Sequence, residues 1–219
     1  MGLSNESSMV DMLISLVAIF ILLFVCMIAK EQEGRGSPVY LQELITKINK
    51  KIELVQWGDL EKPKIETDPT DPLAIKITET DKNNNFFASG SEIPSEKFQN
   101  FLIIFSEKIL FPILSNLKDR EIIRQIIIEG HTDSLPFAGS EYGNLRLSQG
   151  RSREVMERLL LLSKKQTFES FLFDLTSAAG RAERECKFSY LDGDENLSTC
   201  RKVIFKLRVK SIAELEHEL

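Results

Sequence analysis

The sequence predicts an α+β protein: a single N-terminal transmembrane helix, then a two-layer α/β sandwich with a mixed four-stranded sheet and helices on one face. Three observations lead there. Met9 to Ile28 is a twenty-residue apolar block with one charge, Asp11. From Leu73 onward, strand-like and helix-like periodicities alternate. The last of these segments, Arg201 to Val209 (RKVIFKLRV), alternates strongly and adds a final strand to a βαβαβ order.

The 219 residues suit one ordinary domain of roughly 130 to 150 residues plus an anchor and a connecting segment. At 42% hydrophobic and 28% charged, the chain has a globular composition outside its one apolar block. A net charge of −5 offers no basic field for nucleic acid. Two histidines and no CxxC pattern predict no structural metal. Cys26 falls in the apolar block, which leaves Cys186 and Cys200, on either side of a loop-like run, as the candidate disulfide pair.

Residues 1–8 read as a short leader and residues 9–29 as the transmembrane helix, because twenty residues at about 1.5 Å each span a hydrocarbon layer of roughly 30 Å. No basic n-region or small-residue cleavage site marks a signal peptide. Asp11 admits two readings. With Ser8 it forms an S-x-x-D capping box that closes the first turn. With Ser8 and Ser15 it also forms a polar stripe at helical spacing, as expected of an ion-carrying carboxylate facing a partner helix.

Residues 30–72 read as a linker containing an amphipathic helix over 39–56. Leu41, Ile45, Ile48, Ile52 and Val55 follow a heptad spacing that fits a short parallel coil, a helix folded onto the domain, or a plug lying on the membrane. Pro63, Pro69 and Pro72 exclude a continuous helix beyond it. The folded domain is expected over 73–210, with strands at Leu73 to Thr80, Arg124 to Gly130, Leu175 to Gly180 and Arg201 to Val209. Helices are expected at Ser95 to Leu117, broken or kinked at Pro112, and at Tyr142 to Leu162, with a short one within Gln166 to Asp174. Residues 211–219 form a tail.

Gly130-His131-Thr132-Asp133-Ser134-Leu135-Pro136, followed by Asn144-Leu145-Arg146-Leu147-Ser148-Gln149-Gly150-Arg151, resembles the two-part signature of the OmpA-like peptidoglycan-binding family. Phe86 to Glu92 resembles that family's F-x-S-G-S turn, and Arg201-Lys202-Val203 its N-R-R-V strand. Within the family the motif is similar to flagellar MotB and to the B subunit of Zorya anti-phage defence. The short leader and long linker favour the Zorya layout. Three extra residues separate Asp133 from Arg151 relative to the OmpA spacing.

The resemblance implies a peptidoglycan stem peptide as ligand, held at its diaminopimelate, with Thr132, Asp133, Asn144, Leu147 and Arg151 as the binding set. The chemistry agrees: a diaminopimelate end carries an ammonium and a carboxylate, so Asp133 answers the first and the Arg151 fork the second. Backbone N–H groups near Asn144 add anion donors. His131 is expected to be structural.

The same resemblance implies a stator: a homodimer in the bacterial inner membrane, N-terminus cytoplasmic and domain periplasmic, paired with a MotA-like ring of multi-helix subunits. Lys30 and Arg35 follow the block and no basic residue precedes it, so the resemblance and not the positive-inside rule sets this orientation. Asp11 would pass an ion, the proton by default, with no enzymatic chemistry and no cofactor. A periplasmic location would let Cys186 and Cys200 form their disulfide. The competing expectations are a passive wall tether, in which Asp11 is only a cap, and an ExbD-like energy-transducing subunit, which lacks this motif.

Overall fold

A computed structural model describes residues 15–25, 39–57, 64–79, 85–135, 137, 142–184, 186, 200–211 and 214. The chain divides into two compact units, Met1–Glu43 and Leu44–Leu219. In the first, residues 15–25 are helical and expose apolar side chains such as Phe20, Leu22 and Phe24. Among the described residues no helix is long and apolar enough to cross a membrane. The expected span from Met9 to Ile28 runs past them at both ends, and Asp11 and Cys26 lie outside them.

Among the described residues the second unit is built on five strands: β1 (Lys64–Asp68), β2 (Asp71–Thr78), β3 (Ile123–Gly130), β4 (Thr176–Gly180) and β5 (Lys202–Val209), in the order β1-β2-β5-β3-β4. β3 and β4 are parallel and every other neighbouring pair is antiparallel. The sheet therefore has one strand more than the four expected. β1 lies in the stretch read as linker, where the prolines exclude a continuous helix and the sequence predicts no strand. An edge strand tolerates such neighbours because one side of its ladder needs no partner, and the turn between Asp68 and Asp71 closes a hairpin. There the Asp68 carboxylate accepts from the Thr70 N–H (2.8 Å) and binds Lys76 (2.7 Å).

Period-two burial sorts the sheet into faces. Ile75 and Ile77 of β2, Val203, Phe205 and Leu207 of β5, and Ile126 and Ile128 of β3 are buried on one side. Helices cover that side. α1 (Val39–Leu54) precedes β1. α2 (Glu96–Phe105) starts at Ser95, whose hydroxyl accepts the Phe98 N–H. Phe105 of α2 meets the Phe205 ring with centroids 4.7 Å apart.

The helix expected from Ser95 to Leu117 is broken at its proline. After α2, Ser106–Leu110 forms a π-helical turn, and α3 (Phe111–Leu114) carries Pro112 in its first turn. Proline cannot donate and its ring clashes with the carbonyl four residues back, so the ladder widens by one residue and the Phe111 N–H reaches Ser106 O. α4 (Leu117–Ile122) is capped by the Asn116 side chain. α5 (Gly143–Leu162) and α6 (Glu169–Leu175) form the crossover between the parallel strands β3 and β4.

The heptad-like seam resolves as a docked helix. Leu44, Ile48 and Ile52 are buried within the same chain, Trp57 stacks on Phe101 (4.9 Å), and Lys47 pairs with Asp119 (2.6 Å). The buried line follows i, i+4 through Leu44, while Leu41, Ile45 and Val55 are only half-buried.

Candidate functional site

Two glycines at the ends of the parallel strands bring α5 onto the sheet. Gly130 and Gly180 are paired neighbours in the β3–β4 ladder. A Cβ on Gly130 would fall on the backbone carbonyl of Ser148, and one on Gly180 on the Gln149 N–H and the Ser148 hydroxyl. The helix therefore passes in direct contact with both strand ends, and the Ser148 Oγ accepts the Ala182 N–H at 3.0 Å. Arg151 is thereby fixed one helical turn from the loop that carries Thr132 and Asp133.

A second loop closes the site from the other side. Ala88 to Ser91 is a turn, with an Ala88 O to Ser91 N bond of 2.9 Å and Gly90 at φ +69°, a conformation that disfavours any side chain. Its carbonyls face Arg151: Nε donates to Ser91 O (3.0 Å) and Nη2 to Ala88 O (3.4 Å), while the guanidinium carbon sits 4.8 Å from the Phe87 ring centroid. Phe137, from the longer β3–α5 loop, packs on Gly90.

These segments enclose a cavity of about 170 Å³, lined by Thr132, Asp133, Asn144, Leu147 and Arg151 together with Asn85, Phe87, Gly90, Phe137 and Arg201. It is smaller than a drug-sized pocket and suited to one amino-acid head group. All five residues of the expected binding set line it. Leu147 forms apolar wall, and the Asn144 amide donates to Asp133 O at 3.3 Å, which ties the start of α5 to the loop.

Two electrostatic details bear on what the cavity can hold. Arg151 is 5% exposed, and burial lowers its guanidinium to about 10 while the charges of Glu79 and Asp133 oppose that shift, so it stays protonated at neutral pH. Its hydrogen bonds to the described residues use Nε and Nη2. The Thr132 Oγ1 is buried and has no hydrogen-bond partner among the described residues. A buried orphan hydroxyl in a cavity wall fits a site completed by a polar ligand.

Asp133 pairs with Arg201 and not with Arg151. Its Oδ1 accepts the Leu135 N–H (3.2 Å) and its Oδ2 accepts from Arg201 Nη1 (3.3 Å). Arg201 in turn donates through Nε to Glu79 Oε2 (2.6 Å) and through Nη2 to Asn85 Oδ1 (3.4 Å). Sequence reasoning missed Arg201 and Glu79 as site residues. Arg201 had a signal, its place in the motif-like strand Arg201-Lys202-Val203. Glu79 had only its acidity at the end of an apolar strand.

His131 is buried behind the site, with Nε2 3.6 Å from Glu129, as a structural residue would be. Cys186 and Cys200 are joined in a disulfide with Cα atoms 4.9 Å apart. Among the described residues no group of His, Cys, Asp and Glu could hold a metal ion.

A mixed sheet covered by helices on one face, with a charged cavity at the strand ends beside a Gly-His-Thr-Asp turn, defines the OmpA-like class of α+β domain. Solved structures share this fold. The fold is similar to that of a MotB-like protein from Desulfovibrio vulgaris (TM-score 0.52, 20% identity, covering 78% of this chain and 91% of that one). It is also similar to the periplasmic domain of Helicobacter pylori MotB, residues 90–256 (TM-score 0.50, 14% identity, covering 73% and 88%). No protein-family model matches the sequence, and no curated protein matches it.

Proposed function

We propose that this chain is a B-type stator subunit whose folded domain grips peptidoglycan and whose apolar N-terminal segment crosses the inner membrane. The observation that carries the wall-binding part is the cavity joining Asp133, Arg151 and the unpartnered Thr132 hydroxyl. An ammonium and a carboxylate on one carbon, as at the free end of diaminopimelate, match an anion held on a loop and a cation held on the helix beside it. The fold shared with MotB periplasmic domains supports the same assignment.

In this reading Met9 to Ile28 is the transmembrane helix, pairs with a second copy and lies against a MotA-like ring. Asp11 takes up and releases the transported proton as the ring turns against the wall-anchored dimer. Docking of α1 on its own domain leaves the apolar N-terminal helix as the surface for that pairing.

Sedimentation of the purified full chain with cell-wall sacculi tests the grip. Asp133→Ala and Arg151→Ala each remove one half of a desolvated charge match, so each is expected to cost on the order of 2 to 5 kcal/mol, a thirty-fold to several-thousand-fold loss of affinity. Free meso-diaminopimelate should compete. Folded variants that sediment like the parent would remove the site from this cavity. For the membrane part, Asp11→Asn is expected to abolish ion-driven activity while insertion and assembly persist; a fully active variant leaves the passive tether.

A further inference from the structure

We propose that Glu79 and Arg201 are positioning residues for the wall-binding site: the buried Glu79 carboxylate anchors the Arg201 guanidinium, which holds Asp133 in place without neutralising it. This rests on the wall-binding reading above and specifies how that site is tuned.

The geometry is a relay across three elements. Glu79, at the end of β2, is 2% exposed and uses both oxygens: Oε1 accepts the Phe86 N–H (2.7 Å) and Oε2 accepts from Arg201 Nε (2.6 Å). Arg201, just before β5, reaches Asp133 only through Nη1, at the longer distance of 3.3 Å. The short bond fixes the guanidinium and the long bond orients Asp133 from one side. An Arg lacking its buried anchor would turn its fork onto Asp133 as a bidentate pair and consume the charge that a ligand ammonium needs.

Charge bookkeeping points the same way. With Arg151 and Asp133 alone the cavity already balances a zwitterion, so an added Arg201 charge would spoil it unless a second anion held it. Glu79 is that anion. A carboxylate this deeply buried is a poor choice for stability alone. Burial pushes the Glu79 carboxyl above the usual carboxylate range, against the Arg201 charge and the Phe86 N–H, which lower it, and Arg151 lowers it further. A raised carboxyl contributes stability at low pH that is lost as pH rises through its folded value, so ionising Glu79 in the folded chain is a net cost to folding. The cost is offset if the charge serves binding.

The test uses the purified full chain, sacculus sedimentation across pH, and thermal unfolding. Glu79→Gln keeps the shape and the acceptor for Phe86 but removes the charge. It is expected to unfold at the same temperature or higher while losing about tenfold in affinity at neutral pH, about 1.4 kcal/mol. The parent should lose affinity on acidification as Glu79 takes a proton, and in Glu79→Gln that limb should move to lower pH. Arg201→Lys, which keeps charge but loses the fork, should weaken binding similarly. Parent-like affinity and pH profile in a folded Glu79→Gln, with Asp133→Ala and Arg151→Ala still defective, would overturn the inference alone. Parent-like binding in all four variants would overturn the wall-binding reading with it.

Discussion

The Thr132 hydroxyl separates folding from binding more cleanly than any charged residue in the cavity. Replacing a buried, unpartnered hydroxyl by a methyl of the same shape removes a desolvation cost without opening a hole. Thr132→Val is therefore expected to leave thermal stability unchanged or raised by up to about 1 kcal/mol, yet to weaken sacculus binding several-fold; equal binding would show that the hydroxyl faces no ligand. The five site residues were legible in the sequence because they sit in one compact motif between Gly130 and Arg151. The Glu79–Arg201 pair was not, because its partners are 122 positions apart and only the β2–β5 register brings them together. Charge type at a strand end says nothing about which partner the sheet will supply.

Among the elements, α5 shows how a backbone detail sets a site. Gly130 and Gly180 admit the helix against the strand ends, and an added methyl at Gly130 would meet backbone that cannot swing aside. Gly130→Ala is expected to destabilise the domain by about 2 to 3 kcal/mol in urea unfolding; a change below about 0.5 kcal/mol would mean that α5 is not seated there. The disulfide closes a loop of separation 14 directly before Arg201, and its loss is expected to cost about 3 kcal/mol, read by the same unfolding assay on the Cys186→Ala/Cys200→Ala double variant. Helices and central strands were legible because their periodicities are long and apolar. β1 was hidden by its prolines and its short, half-exposed KIETD sequence, which carries a strand only because β2 lies beside it. The π turn was legible as a break at Pro112 but not in kind, since several distortions accommodate a proline.

At the scale of the whole molecule, two of the buried carboxylates among the described residues, Glu129 and Glu79, have opposite pH consequences. On the sheet face away from the helices, burial alone would raise Glu129, but the His131 ring 3.6 Å away and the charges of Lys206, at 2.7 Å, and Arg181 hold it down at about 2. A lowered carboxyl contributes stability above its unfolded value, near 4.5, that is lost as pH falls through the folded one. The unfolding free energy of the parent in urea should therefore drop between about pH 4.5 and 2, by an amount on the order of 3 kcal/mol, and Glu129→Gln should flatten that drop. The rise contributed by Glu79 falls above about pH 4.5 and is already complete where that drop begins. The strand register has a mechanical consequence as well. Lys64 opposes Thr78, Thr78 opposes Lys202 and Val203 opposes Gly130, so the first residue of β1 lies at the same rim of the sheet as the cavity. Tension applied between a ligand seated at that rim and the chain arriving at Lys64 does not shear the ladder. Once the docked α1 has come away, it peels β1 from β2 one bond at a time, starting beside the site.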